Sequence, residues 1–201
     1  MAVMTLEAPP PASTPIRLSF GRPLTVDDLE EMPDDGHRYE LLDGSLLVSP
    51  APGWRHQEVA LALATVLKTA CPRDMRVVIA PFAVRLTADT EFQPDVLVTF
   101  FEDLTPKNLP VPPLLAVEVR SPSTALVDLN LKKAAYQRHR VSSYWLVDPD
   151  RDAPTLTALE LDDFGHYVEV AAVSGKQKFH AKRPFPVTVV PAELAAGLHS
   201  S

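Results

Sequence analysis

Two short apolar runs, QPDVLVTF at 93–100 and LLAVEVRS at 114–121, each carry a carboxylate in a place where a buried strand ordinarily has none. The first holds Asp95 and the second Glu118. A run that is apolar on both faces reads as a strand covered on both sides. A carboxylate within it must be paired, hydrogen-bonded or bound to a metal, because an isolated charge in an apolar interior is too costly. The strand period of two puts Glu118 and Arg120 on one face and Val117 and Val119 on the other. If the two runs pair, Asp95 and Glu118 converge at one end of the sheet.

The surrounding pattern supplies the elements that such a sheet needs. Thr25 opens a short helix, TVDDLEEM, with acidic residues in the first turns, where the helix dipole favours them. RYELLDGSLLVSPAP reads as a hairpin turning at Asp43-Gly44, with strands at Tyr39–Leu42 and Leu46–Val48. Glu40 in its first strand is equally readable as a solvent-facing residue or as part of a site. Residues 54–70 form the clearest helix, with Val59, Leu63, Val66 and Leu67 as its apolar stripe and Pro72 as its stop. His56 lies in the first turn, where a surface or hydrogen-bonding role is the commoner one. MRVVIAPFAVRL reads as strand, bent near Pro81. A helix over about 128–140 follows the SPST turn, with Ser123, Thr124 and Asp128 as competing caps. SYWLVDP is a short strand, and TLTALEL, HYVEVAAV and PVTVV alternate as antiparallel strands do.

The order predicts an α/β (α+β) fold: one mixed sheet flanked by helices, with an antiparallel C-terminal extension. The expected organisation is a proline-rich tail over 1–23, a single domain over 24–195 and a short tail over 196–201. No secretory signal and no membrane span is visible, so a cytoplasmic location is the expectation.

Composition narrows the chemistry. The formal net charge of −7 works against phosphate binding, which Lys and Arg drive, unless a local basic patch or bound divalent cations offset it. The lone cysteine, Cys71, allows no intramolecular disulfide and no cysteine-cluster zinc site. There is no Gly-x-Ser-x-Gly elbow, no HExxH motif and no phosphate-cradling glycine loop, and only seven glycines in all. Two carboxylates beside a water-filled cleft form instead a hard-oxygen site suited to magnesium or manganese. Asp128, Lys132 and Tyr136 are spaced i, i+4, i+8 and share one side of a helix, which would bring a lysine to that cleft. Taken alone, Lys132 reads as half of a surface Asp–Lys pair.

Taken together, Pro94-Asp95, Glu118-Val119-Arg120-Ser121-Pro122-Ser123-Thr124, Asp128, Lys132, Tyr136 and Tyr144-Trp145-Leu146-Val147-Asp148-Pro149 resemble the Uma-two family. This is a restriction-endonuclease-like group within the PD-(D/E)XK nuclease superfamily. Tyr39-Glu40-Leu41-Leu42-Asp43-Gly44 and Arg55-His56 fit its opening, and the likeness runs over roughly residues 24 to 190. The resemblance implies a core of helix, three strands, helix and strand. It implies Asp95 and Glu118 as ligands of Mg2+ or Mn2+, with the Val119 carbonyl as a third. It also implies a site supported by Glu40, His56, Gln93, Asp128 and Tyr136. The superfamily motif has lysine two places after the glutamate, where this chain has Arg120. Arginine does not deprotonate at working pH, so Lys132 on the helix is the natural substitute and Arg120 an auxiliary. The implied function is a metal-dependent endonuclease acting on DNA, as a homodimer if both strands are cut. The rival is a catalytically silent protein of the same fold that binds a nucleic acid or a protein partner.

Overall fold

The computed structural model describes residues 21–120 and 127–198, with the side chains of 127–129 outside that description. A short helix, α1 (Val26–Glu30), precedes the hairpin of β1 (His37–Leu42) and β2 (Ser45–Pro50). Asp43 and Gly44 both take positive φ, 48° and 75°, as a two-residue hairpin turn of this hand requires. Helix α2 (Trp54–Ala70) follows, then β3 (Met75–Ile79), β4 (Ala83–Thr87), β5 (Thr90–Phe92), β6 (Val96–Phe100), β7 (Asn108–Leu109) and β8 (Leu115–Val119). A π-helical turn (Val127–Lys132) leads into α3 (Lys133–Arg138), and β9 (Ser143–Asp148), β10 (Thr155–Leu161) and β11 (Tyr167–Ser174) come next. The chain closes with β12 (Phe179–Ala181), β13 (Val187–Val189), α4 (Pro191–Leu194) and a final turn whose Leu198 is buried.

The strands form three sheets rather than the single sheet that the sequence suggested. The central sheet has the order β11-β10-β9-β8-β6-β3, and only its β8–β9 pair is parallel. A second sheet, β2-β1-β5-β4-β7, carries the hairpin, and β12 pairs with β13 separately. The segment around Pro81 is the cause of the first split. It separates β3 in the central sheet from β4 in the second, so a run that reads as one bent strand serves two sheets. The proline-rich loop also holds β7, whose two residues pair parallel with β4.

Both faces of the central sheet are covered at β6, β8 and β9, which is why those strands are apolar on both sides. On one face Val59, Leu63 and Leu67 of α2 pack on Val96, Val98, Val117, Val119, Trp145 and Val147. On the other, Ala116 and Tyr144 meet Tyr136 of α3 and Phe92 of β5, while Leu97 meets Val84 and Leu109. Alternation therefore sends Glu118 towards α3 and the second sheet, between two layers of the core. Among the described residues no helix is long and apolar enough to cross a membrane.

Leu63 is fully buried and Leu61, on the same helix, is 57% exposed. Leu63→Ala is expected to cost about 2–5 kcal/mol of stability and Leu61→Ala no more than about 0.5 kcal/mol, read from urea denaturation midpoints.

Candidate functional site

Strand pairing builds the site. Val96 lies opposite Val117 in the antiparallel β6–β8 pair, so one step outward sets Asp95 beside Glu118. The Val119 N–H donates to Asp95 Oδ2 at 2.8 Å, which fixes that carboxylate against the end of β8. Asp95 and Glu118 are 3% and 2% exposed.

Three elements bring partners to Asp95. Arg38 of β1 donates to Oδ1 at 3.0 Å and to the Gln93 carbonyl at 3.2 Å. His56, in the first turn of α2, places Nε2 at 2.9 Å from Oδ2. A carboxylate oxygen accepts, so Nε2 carries the proton of that contact. Burial tends to raise the Asp95 carboxyl, but His56, Arg38 and the Val119 N–H together outweigh it and hold the group below the usual aspartate range. Arg38 is under the reverse pressure. Burial lowers it, while Asp95, Glu40 and Glu118 raise it more, so the guanidinium stays charged.

Glu118 is met from the helix. The Lys132 ammonium lies 3.1 Å from Glu118 Oε1, and the Tyr136 hydroxyl donates to the same oxygen at 2.8 Å. The i, i+4 spacing holds across the junction of the π-helical turn with α3 and aims both groups at one carboxylate. Burial, then the Glu118 and Glu40 carboxylates, push the Tyr136 phenol well above its ordinary value, so it remains a donor. Lys132 also reaches Glu40 Oε2 at 3.0 Å, and Glu40 Oε1 accepts the Gln93 N–H at 2.8 Å. Glu40 is 2% exposed, so the solvent-facing reading of that strand residue is set aside.

The structure thus joins Glu40, His56, Gln93, Asp95, Glu118, Lys132 and Tyr136, together with the main chain of Val119 through its N–H. Arg120 stands one residue beyond β8, and its guanidinium pairs with Asp148 rather than joining the carboxylates. It lines a cleft next to them instead. The side chain of Asp128 lies outside the described residues. Arg38 is the participant that sequence reasoning missed. Its signal was present: it sits two residues before Glu40 in β1, on the same strand face.

Among the described residues no group of three or more His, Cys, Asp or Glu stands ready-made as a metal cluster. The donor chemistry nevertheless fits a hard cation. Three buried carboxyl groups, Glu40, Asp95 and Glu118, are gathered around two long basic side chains, Arg38 and Lys132, with His56 at the edge. All the acidic donors are oxygens, the ligand type that magnesium and manganese prefer. The carboxylates themselves are closed in and line neither of the two neighbouring clefts, which only their partners reach. Arg38 and Gln93 line a cleft of about 490 Å3, while His56 and Arg120 line another of about 530 Å3.

The family Uma2, described as "Putative restriction endonuclease", matches residues 26–195. No curated protein matches the chain significantly. Among solved structures, a "putative nuclease belonging to DUF820" from Anabaena variabilis superposes with a TM-score of 0.64 at 16% identity. The match covers 88% of this chain and all of that one, and it shows a shared fold.

Removing the ammonium at Lys132 would leave Glu40 and Glu118 buried without it. Lys132→Met is expected to cost about 3–5 kcal/mol in denaturant titrations, and Tyr136→Phe about 1–3 kcal/mol. Asp95 gives a pH signature in metal-free buffer. Its carboxyl is lowered on folding, so the unfolded chain binds more protons as the pH drops, and its contribution to stability is complete above about pH 4 and lost as the pH falls through the lower folded value. Melting curves of wild type and Asp95→Asn should therefore differ most near neutrality and draw together in acid.

Proposed function

The chain belongs to the Uma2 family, described as putative restriction endonucleases, and from that membership we propose that it is a divalent-metal-dependent nuclease hydrolysing DNA phosphodiester bonds. The observation that carries the reading is the buried trio of Glu40, Asp95 and Glu118, whose partners Arg38 and His56 line two neighbouring clefts. Asp95 and Glu118 would hold Mg2+ or Mn2+, with the Val119 carbonyl as a further oxygen donor. A divalent ion there supplies Lewis acidity at the phosphoryl group and a more acidic bound water.

The chain's own residues have separable tasks. Arg38 and His56 orient the Asp95 carboxylate by holding one oxygen each. Tyr136 and Lys132 set the rotamer of Glu118. Lys132 is also the group that would meet the scissile phosphate, as an ammonium balancing the charge that builds up in attack. Arg120 cannot serve as a base and assists only as a fixed positive charge beside the cleft. Cutting both strands with one site per chain would call for two chains, and a homodimer is the corresponding assembly.

One observation favours a second reading, a silent nuclease fold that binds without cutting. Asp95 already accepts three hydrogen bonds, and Lys132 lies where it neutralises Glu118 and Glu40. Calorimetric titration with manganese separates the two, since the silent form has no use for the ion.

Wild-type protein is expected to nick supercoiled plasmid in Mg2+ or Mn2+ and to stop on chelation. Asp95→Asn and Glu118→Gln should each reduce the rate by at least about 100-fold, and Lys132→Ala by a similar factor. Cleavage that survives both carboxylate changes would eliminate this site as the catalytic centre.

A further inference from the structure

The cleft lined by Arg55, His56 and Arg120 has a feature that the hydrolytic site does not use. Trp54, the first residue of α2, is 61% exposed and stands in the chain between the wall residues Gly53 and Arg55. A single exposed apolar side chain is ordinary on a protein surface. This one is set apart by its neighbours. The Arg55 guanidinium lies over the indole, with Cζ 5.5 Å from the ring centroid. Two residues further along the helix, His56 touches Asp95. In the same cleft the Arg120 side chain is 35% exposed and its guanidinium, paired with Asp148, has further N–H donors.

Together these supply what an unpaired nucleotide needs: an aromatic face for its base, a cation beside that face and a donor for its phosphate. In a duplex the base faces are occupied by their neighbours and cannot reach an indole. We infer that Trp54 and Arg55 form a stacking platform for an unpaired base of the DNA substrate, with the exposed part of the Arg120 guanidinium taking an oxygen of the adjoining phosphate. The favoured substrate therefore has a single-stranded or frayed segment beside the scissile bond. This rests on the nuclease reading, since it is that reading which makes DNA the ligand.

Trp145, the other of the two tryptophans, is fully buried, so a change in emission on binding reports on Trp54. The full-length protein would be titrated in calcium buffer with a thymidine oligonucleotide and with a duplex of equal length. The single strand should quench the emission and bind more tightly than the duplex. Trp54→Ala should weaken single-strand binding about 5- to 100-fold, the range for loss of one stacked base, and Trp54→Phe should restore most of it. Arg120→Ala should lower the slope of log affinity against log salt by about 0.7, one phosphate's share on a single strand. Unchanged affinity in Trp54→Ala, or a duplex that binds as tightly as the single strand, overturns the platform.

Cleavage assays in manganese distinguish this from the hydrolytic proposal. If wild type and Trp54→Ala cut single-stranded and duplex DNA equally well, the platform fails and the nuclease reading stands. If single-strand binding depends on Trp54 but no metal supports cleavage, the nuclease reading fails and the platform remains as a binding device.

Discussion

The Lys132 ammonium lies about equally far from Glu118 and Glu40, at 3.1 and 3.0 Å. Glu118 belongs to the central sheet, Glu40 to the second sheet and Lys132 to the helical segment between β8 and β9. One buried cation therefore ties three units that strand hydrogen bonds do not join. A buried carboxylate left without its cation is strongly destabilising, and Glu40 meets this one only where the second sheet docks. The apolar layer beneath, Phe92 against Tyr136 and Tyr136 against Tyr144, holds the same three units in register.

Asp95 is held by a second such convergence. Arg38 comes from β1, His56 from α2 and the Val119 N–H from β8. Each partner is itself largely buried or part of the main chain, so the carboxylate has little freedom to reorient. Rigid placement of this kind is what a catalytic or metal-holding carboxylate needs, because its geometry is set before a ligand arrives. Two of these partners, Arg38 and His56, line different clefts.

Much of this was legible in the chain. A carboxylate in a strand apolar on both faces is a strong signal, and the period of two determined that Glu118 would face away from Val117 and Val119. The i, i+4 spacing of Lys132 and Tyr136 put both on one carboxylate even though the helix begins with a π-helical turn. Arg38 was overlooked because an arginine at the head of a hairpin reads as a solvated charge. Only the docking of the second sheet against Asp95 buries it. Arg120 misled in the opposite sense. Alternation put it beside Glu118, but its N–H still donates to the Val147 carbonyl of β9, and the next residue of that strand, Asp148, takes the guanidinium.

The sequence by itself determined the local geometry: helix α2 with its boundaries at 54 and 70, the Asp43-Gly44 turn, and the pairing of two carboxylate-bearing apolar runs. These follow from side-chain period, turn chemistry and the cost of burying charge, all of which act over a few residues. Tertiary structure decided how the strands divide into sheets, that Glu40 is interior, and which cations stand beside which acids. Those outcomes depend on contacts between residues far apart in the chain, such as Arg38 with Asp95, 57 positions on, and Glu40 with Lys132. No local pattern encodes such a contact. What the sequence marked as two misplaced acids is, in the folded chain, one network of three acids and the cations that allow them to be buried.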